Sequence, residues 1–194
     1  MIPELILAAL LLGRLARGKL GRLADVRVKY VWLIFVPLAL YLAAYAVNYS
    51  RVISKSSWVF GLAHAVALAA LLTLTLANRR IPGVKLMFGG LAANAVAIVA
   101  NGGLMPTSAR AAAAIWGKEI IEKTMAQTLV RHEFFDANTN LRFLCDIIAA
   151  KRPFVFVQSV YSIGDVLLSL GCFIAIIAVM RTPLASEGRA KKEA

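Results

Sequence analysis

The stretch from Tyr161 to Met180 carries one charged side chain, Asp165, in an otherwise apolar run. A helix needs roughly 20 apolar residues to cross the ~30 Å of hydrocarbon in a bilayer, so this run limits the fold before any other feature does. Residues 30–48 and 57–77 are as long and contain no Lys, Arg, Asp or Glu. A fourth stretch, 84–101, is rich in Gly and Ala with Asn94 inside it, and still reads as a span because a helix satisfies its own backbone polar groups. The first run, 2–16, is short and holds Glu4 and Arg14; it spans if the arginine snorkels to the interface and otherwise lies in the interface. Its basic residues follow the apolar run, which argues against a cleaved signal peptide.

A chain of 194 residues that is 60% hydrophobic, with mean hydropathy +0.75, holds more apolar side chain than one soluble core needs. The expected fold is therefore an all-α polytopic membrane bundle, a single domain over 1–194. It has about five transmembrane helices (2–16, 30–48, 57–77, 84–101 and 161–180), or four if the first run is interfacial.

Lysine and arginine set the direction. Arg14 to Lys29 holds six of them, Arg51 to Lys55 two, Arg79 to Lys85 three, and the tail from Arg181 four. With five spans the six, three and four fall on one side, and the positive-inside rule makes that side cytoplasmic. The amino terminus is then outside, the tail 181–194 inside, and the connection 102–160 extracytoplasmic, in a bacterial inner membrane. The net charge of +12 is distributed between apolar runs and lacks the dense basic face or aromatic interleaving of a nucleic-acid binder.

The fourth span ends in Asn101-Gly102-Gly103, which can cap a helix with positive φ, and Pro106 then forbids simple continuation. Ser108 is placed to cap a short helix from Ala109 to Trp116. A second amphipathic stretch, Asn138 to Lys151, puts Leu141, Leu144 and Ile148 on one helical stripe. These short helices are expected to form a layer that roofs the bundle. Gly61, Ala65, Ala69 and Thr73 recur every four residues, as do Gly89, Ala93, Ala97 and Asn101; small residues at that spacing let helices approach closely, so these two spans should be neighbours.

His64 lies seven residues in from the outer end of its span, about 10 Å along the axis, and Asn94 lies equally deep in the next. Asn101 shares a helix face with Asn94, and Asp165 enters the last span in its outer third. Polar groups within a membrane are costly enough to mark a site, so His64, Asn94, Asn101 and Asp165 are the candidate ligand-binding residues. The competing reading for Asp165 is structural: Ser162 and Asp165 have the spacing of a capping box. Interhelical hydrogen bonding is the plainer role for His64 and the two asparagines. Gly102, Gly103, Pro106 and Ser162 are expected to be turn and cap residues.

Other chemistry is poorly supported. His132 and Asp136, four apart, share a helix face but do not make a metal site alone. Arg142 and Asp146 read as an exposed ion pair. Trp58, Tyr49, Trp116, Phe154, Phe156 and Tyr161 fit an aromatic belt. Cys145 and Cys172 form no disulfide framework, and the chain lacks a hydrolase elbow, a Walker loop and a dinucleotide fingerprint.

Four segments, "RGKLGRLADVRVKYVWL" (17–33), "NGGLMP" (101–106), "NLRFLCDII" (140–148) and "YSIGDVLLSLG" (161–171), resemble a bacterial family of small integral membrane proteins of unknown function. The resemblance makes Gly102, Gly103, Met105, Pro106, Asp146, Gly164 and Asp165 family features and implies no catalytic role for any of them. It is least clear over residues 111–136, which include His132.

The expectation is a membrane protein that binds or carries a small ligand, lipid headgroup or ion in a polar pocket of the extracytoplasmic half, with no cofactor identified. Its partners are membrane lipid and other membrane subunits. The alternatives are a non-catalytic subunit or assembly factor of a larger membrane complex, and an enzyme acting on a lipid or isoprenoid headgroup through Asp146, Asp165 and His132.

Overall fold

A computed structural model describes residues 2–50, 58–119, 121, 134–153 and 155–182. Its elements in chain order are α1 (Ile2–Leu15), α2 (Gly21–Ala24), a 3-10 turn (Val31–Ile34), α3 (Phe35–Ser50), α4 (Trp58–Ala77), α5 (Val84–Ala100), α6 (Ala109–Trp116), a 3-10 turn (Arg142–Leu144), β1 (Ile148–Ala150), β2 (Ser159–Tyr161) and α7 (Ile163–Arg181). The described chain is mostly helical. Helix α7 is long and apolar enough to cross a membrane, while the apolar stretches Val31–Ala43, Leu62–Ala77 and Val84–Ala100 are shorter.

The five longer helices pack as a row, α3 on α4, α4 on α5, α5 on α7 and α7 on α1. Helix α5 runs antiparallel to α7, and glycines set the distance between them. A Cβ on Gly171 would lie 2.6 Å from the carbonyl oxygen of Gly83, and one on Gly90 would lie 2.8 Å from the backbone nitrogen of Leu168. Gly83 and Gly90 are seven apart, as are Gly164 and Gly171, so two turns of each helix meet backbone to backbone. Close approach of this kind gains packing between backbones that larger side chains would hold apart. Helices α4 and α5 do lie side by side, but the tightest approach of α5 uses Gly90 toward α7, whereas Gly89, on the stripe singled out from sequence, faces open space.

Helix α1 runs parallel to α7. Near its start the Glu4 carboxylate accepts from the Phe156 backbone N–H, just upstream of α7; near its end Gly13 packs on the buried Met180 side chain. The Met180 carbonyl, free at a helix C-terminus, accepts from the Lys19 N–H at 2.9 Å and from the Arg22 guanidinium at 3.0 Å. A positive charge there also complements the helix dipole. Lys29 and Asn78 exchange two 2.9 Å hydrogen bonds, the Lys29 N–H donating to Asn78 Oδ1 and Asn78 Nδ2 donating to the Lys29 carbonyl. These contacts gather the 14–29 segment, the α4–α5 turn and the end of α7 at one end of the row.

At the other end lies a layer of mixed structure. Strands β1 and β2 pair antiparallel with Ile148 opposite Tyr161, and α6 packs on both. Pro106 to Ser108 lies beside Asp146: the Asp146 N–H donates to the Pro106 carbonyl at 3.0 Å and the Ser108 N–H to the Asp146 carbonyl at 2.8 Å. The helix expected over Asn138 to Lys151 is therefore a 3-10 turn followed by a strand. Leu141 has φ +49, a break that a continuous helix does not accommodate, and Asn140 spends its backbone and side-chain groups on the end of α5. Two expected spans also start late. Residues 31–34 form a 3-10 turn after Tyr30 at φ +54, and Tyr161 belongs to β2.

Large apolar side chains point outward along the row, with Leu15 77% and Val99 76% exposed. Of the most apolar window of α7 only 22% is buried.

Substituting Gly171 by Ala is expected to lower thermal stability in detergent, since overpacking a close contact costs about 1–3 kcal/mol. The same change at Gly89 should be neutral or stabilising by up to about 1 kcal/mol. Equal melting shifts for the two variants would show that the α5–α7 approach is not what holds the row.

Candidate functional site

The polar candidates separate into two groups. Ser162, fully buried, precedes α7 and caps it: its Oγ accepts from the Asp165 N–H at 2.9 Å, and Asp165 Oδ2 accepts from the Ser162 N–H at 3.0 Å. That reciprocal pair is a complete capping box. Asn94 closes it from α5. Its Nδ2 donates to Asp165 Oδ1 at 2.8 Å, and its Oδ1 accepts from Ser162 Oγ at 2.7 Å. The cross-helix reach is possible because residue 164 is glycine; a Cβ there would collide with the Asn94 amide, its carbon 2.6 Å away. One buried hydroxyl thus serves as helix cap and as bridge to the neighbouring helix.

The structure brings Asn94 and Asp165 together and directs Asn101 elsewhere. Asn101 Nδ2 donates to the Ala97 carbonyl at 2.7 Å and to the Asn140 carbonyl at 3.0 Å, and its Oδ1 accepts from the Asn140 N–H at 2.8 Å. It fastens the outer layer to the end of α5. His64 is half-buried on α4 and takes no part in the bonds linking Asn94, Ser162 and Asp165. Gly102 and Gly103 have φ of +69 and +95; Pro106 is buried beside Asp146. His132 lies outside the described residues, as do 51–57, Phe154 and 183–194.

Asp165 and Asn94 are each half-buried. Each Asp165 oxygen takes one bond within the cluster, and a carboxylate has about four acceptor positions, so a donor or cation arriving from outside the cluster has acceptors left to meet. Among the described residues no group of three His, Cys, Asp or Glu side chains gathers in a way that could hold a metal ion. Asp136 instead accepts from the Asn138 N–H and the Thr139 hydroxyl, both at 2.9 Å, in a surface turn.

The exposed Arg142–Asp146 pair is not formed. Arg142 donates to the Asp136 carbonyl at 2.5 Å and places its guanidinium 5.9 Å from the Phe135 ring centre, while Asp146 is only 5% exposed beside the buried Thr107. Four-residue spacing implies an ion pair only on a helix, and Asp146 is not on one. Sequence reasoning also missed Asn140 and Asn78. Asn78 directly follows α4, where a short amide competes for backbone groups, and that was the available signal; Asn140 meets the end of α5 only through the fold.

In a double-mutant cycle, Asn94→Ala and Ser162→Ala should show a coupling of about 0.6–1.7 kcal/mol, the range for interhelical side-chain hydrogen bonds in membranes. Additivity within about 0.3 kcal/mol would remove the cross-helix bond. In the outer layer, burial and then the neighbouring Asp146 carboxylate push the Cys145 thiol above its ordinary value. The fold therefore disfavours the thiolate. Stability held at neutral pH should fall as pH rises past about 8.5, the ordinary thiol value, and a Cys145→Ala variant should lose that slope. In a Cys172→Ser background, alkylation of Cys145 at pH 8 should be slow until the chain is unfolded.

Neither a curated protein nor a solved structure matches the chain. A family model does, over residues 25–177, from the strap before α3 to near the end of α7, so that both the Asn94–Ser162–Asp165 cluster and the Asn101–Asn140 junction fall inside the matched region. The chain belongs to this family, described as a family of unknown function (DUF5317).

Proposed function

We propose that the chain is a multi-pass protein of a bacterial cytoplasmic membrane, amino terminus outside and carboxyl terminus inside, that binds a small ligand, lipid headgroup or ion without transforming it. The observation that carries the membrane part is the exposure of α7. A helix this apolar in a soluble protein would be a core helix, yet 22% of its most apolar window is buried, and an apolar surface of that extent supports contact with lipid. The packing directions agree with five crossings. With α1, α3, α4, α5 and α7 alternating, α1 and α7 cross in the same sense and α5 in the opposite one, as their contacts require. The basic segments meet at one end, consistent with a single cytoplasmic face.

The ligand seat in this reading is the outer-half cluster, with Asp165 and Asn94 as its polar floor and His64 and Asn101 as flanking groups. Its support is the spare acceptor capacity of the Asp165 carboxylate. A second reading, a non-catalytic subunit of a larger membrane complex, is favoured by the way Asn94, Ser162 and Asp165 use one another's polar atoms.

Alkaline carbonate should leave the protein in the membrane, and extraction by it would end the membrane reading. In mild detergent, mass spectrometry of the co-purifying small molecules should show one species reduced in Asp165→Asn, with Ser162 retained and helix content unchanged. An identical small-molecule profile in the variant would take the cluster out of ligand binding, and a stoichiometric protein partner in both would favour the subunit reading.

A further inference from the structure

The basic end of the helix row holds a cavity. It has a volume of about 400 Å³ and is lined by Lys29, Thr73, Leu76, Ala77, Arg79 and Arg80. Its lining holds three basic residues and Thr73, and no acidic residue among the described ones. Two of the cations come from the turn after α4 and the third from a strap 50 residues earlier, so the grouping is tertiary. Asn78 makes it. Buried at the end of α4, its amide holds the Lys29 backbone from both sides at 2.9 Å and donates back to the Leu74 carbonyl at 2.8 Å.

On the other side of the same strap an apolar cavity of about 270 Å³ runs between α4, α5 and α7, with Val26, Val28, Leu74, Ile81 and Ile176 among its walls. Leu76 and Thr73, which line the cationic cavity, are exposed residues of α4. We propose that the Lys29–Arg79–Arg80 cavity binds the phosphate headgroup of an anionic phospholipid of the cytoplasmic leaflet.

Charge complementarity selects the headgroup: three basic residues around one space, with no acidic residue among its described lining, suit a phosphodiester, and Arg supplies donors in a fork that fits its oxygens. The lipid source follows from the apolar flank, since Leu76 and Ala77 offer surface to a glycerol backbone and acyl chain and nothing to a free phosphate. Cations at this end also favour the cytoplasmic side generally and complement the α4 C-terminus. Those effects are satisfied by charge anywhere on that face, whereas a site requires these three positions.

This inference rests on the membrane reading, and the experiment separates the two. The full chain, reconstituted in nanodiscs of mixed phosphatidylglycerol and phosphatidylcholine and released into mild detergent, is examined by native mass spectrometry for retained lipid. Phosphatidylglycerol should be retained over phosphatidylcholine, and the triple variant K29Q/R79Q/R80Q should lose that preference about tenfold or more. A control triple of equal charge loss, R14Q/R17Q/R27Q, should keep the preference, and K29R, which retains all three charges and both Arg forks, should keep it in a chain shown to be folded. Equal losses in both Gln triples would overturn the site in favour of general surface charge, and displacement of the lipid by millimolar inorganic phosphate would overturn the lipid as its ligand. Solubility in carbonate without detergent would instead remove the membrane reading beneath it.

Discussion

The backbone contact between α5 and α7 is the constraint on which the other features depend. Gly83 and Gly90 on one helix and Gly164 and Gly171 on the other bring the two axes close enough for main-chain atoms to touch. At that separation an asparagine on α5 can reach a serine that lies before α7, and the helix cap becomes a link between helices. Were the helices spread to accommodate ordinary side chains, Ser162 would still cap α7, but Asn94 would require another partner or leave its amide unpaired in an apolar surround.

The same pair positions both ends of the protein. Toward the outer layer, Asn101 at the end of α5 and Ser162 at the start of α7 anchor the two sides of the segment that carries α6 and the hairpin. Toward the basic end, Gly83 at φ +85 opens α5 directly against Gly171, fixing the α4–α5 turn where Asn78, Arg79 and Arg80 lie. The proposed ligand seat in the outer half and the proposed headgroup site at the opposite end are thus two consequences of one helix contact.

The helices were legible in sequence because length and apolarity dictate them, and the Ser162–Asp165 cap because its motif is local. The α5–α7 glycine contact was harder to see: the stripe through Gly89 has the more regular spacing, and which face of a glycine-rich helix meets a neighbour depends on tertiary arrangement. Asn94 was visible as a polar residue inside an apolar run, but its bond to the cap required knowing which helix lay opposite. The outer layer was misread over 138–151 because apolar residues at helical spacing occur by chance in a short window, and a positive φ at Leu141 leaves no mark in composition. Lys29, Arg79 and Arg80 were read for their sign alone; the buried amide of Asn78 that assembles them joins residues 49 positions apart.

The parallel contact of α1 with α7 has a consequence for biosynthesis. The first helix leaves the ribosome far ahead of the last, and at about 5–20 residues per second it waits on the order of ten seconds or more for the helix whose terminal carbonyl its trailing loop will cap. During that interval Gly13 and Gly18 have no Met180 to enclose. Until α7 is made, the face of α1 that packs on it has no partner, so the α1–α7 contact is a late event in the assembly of the helix row.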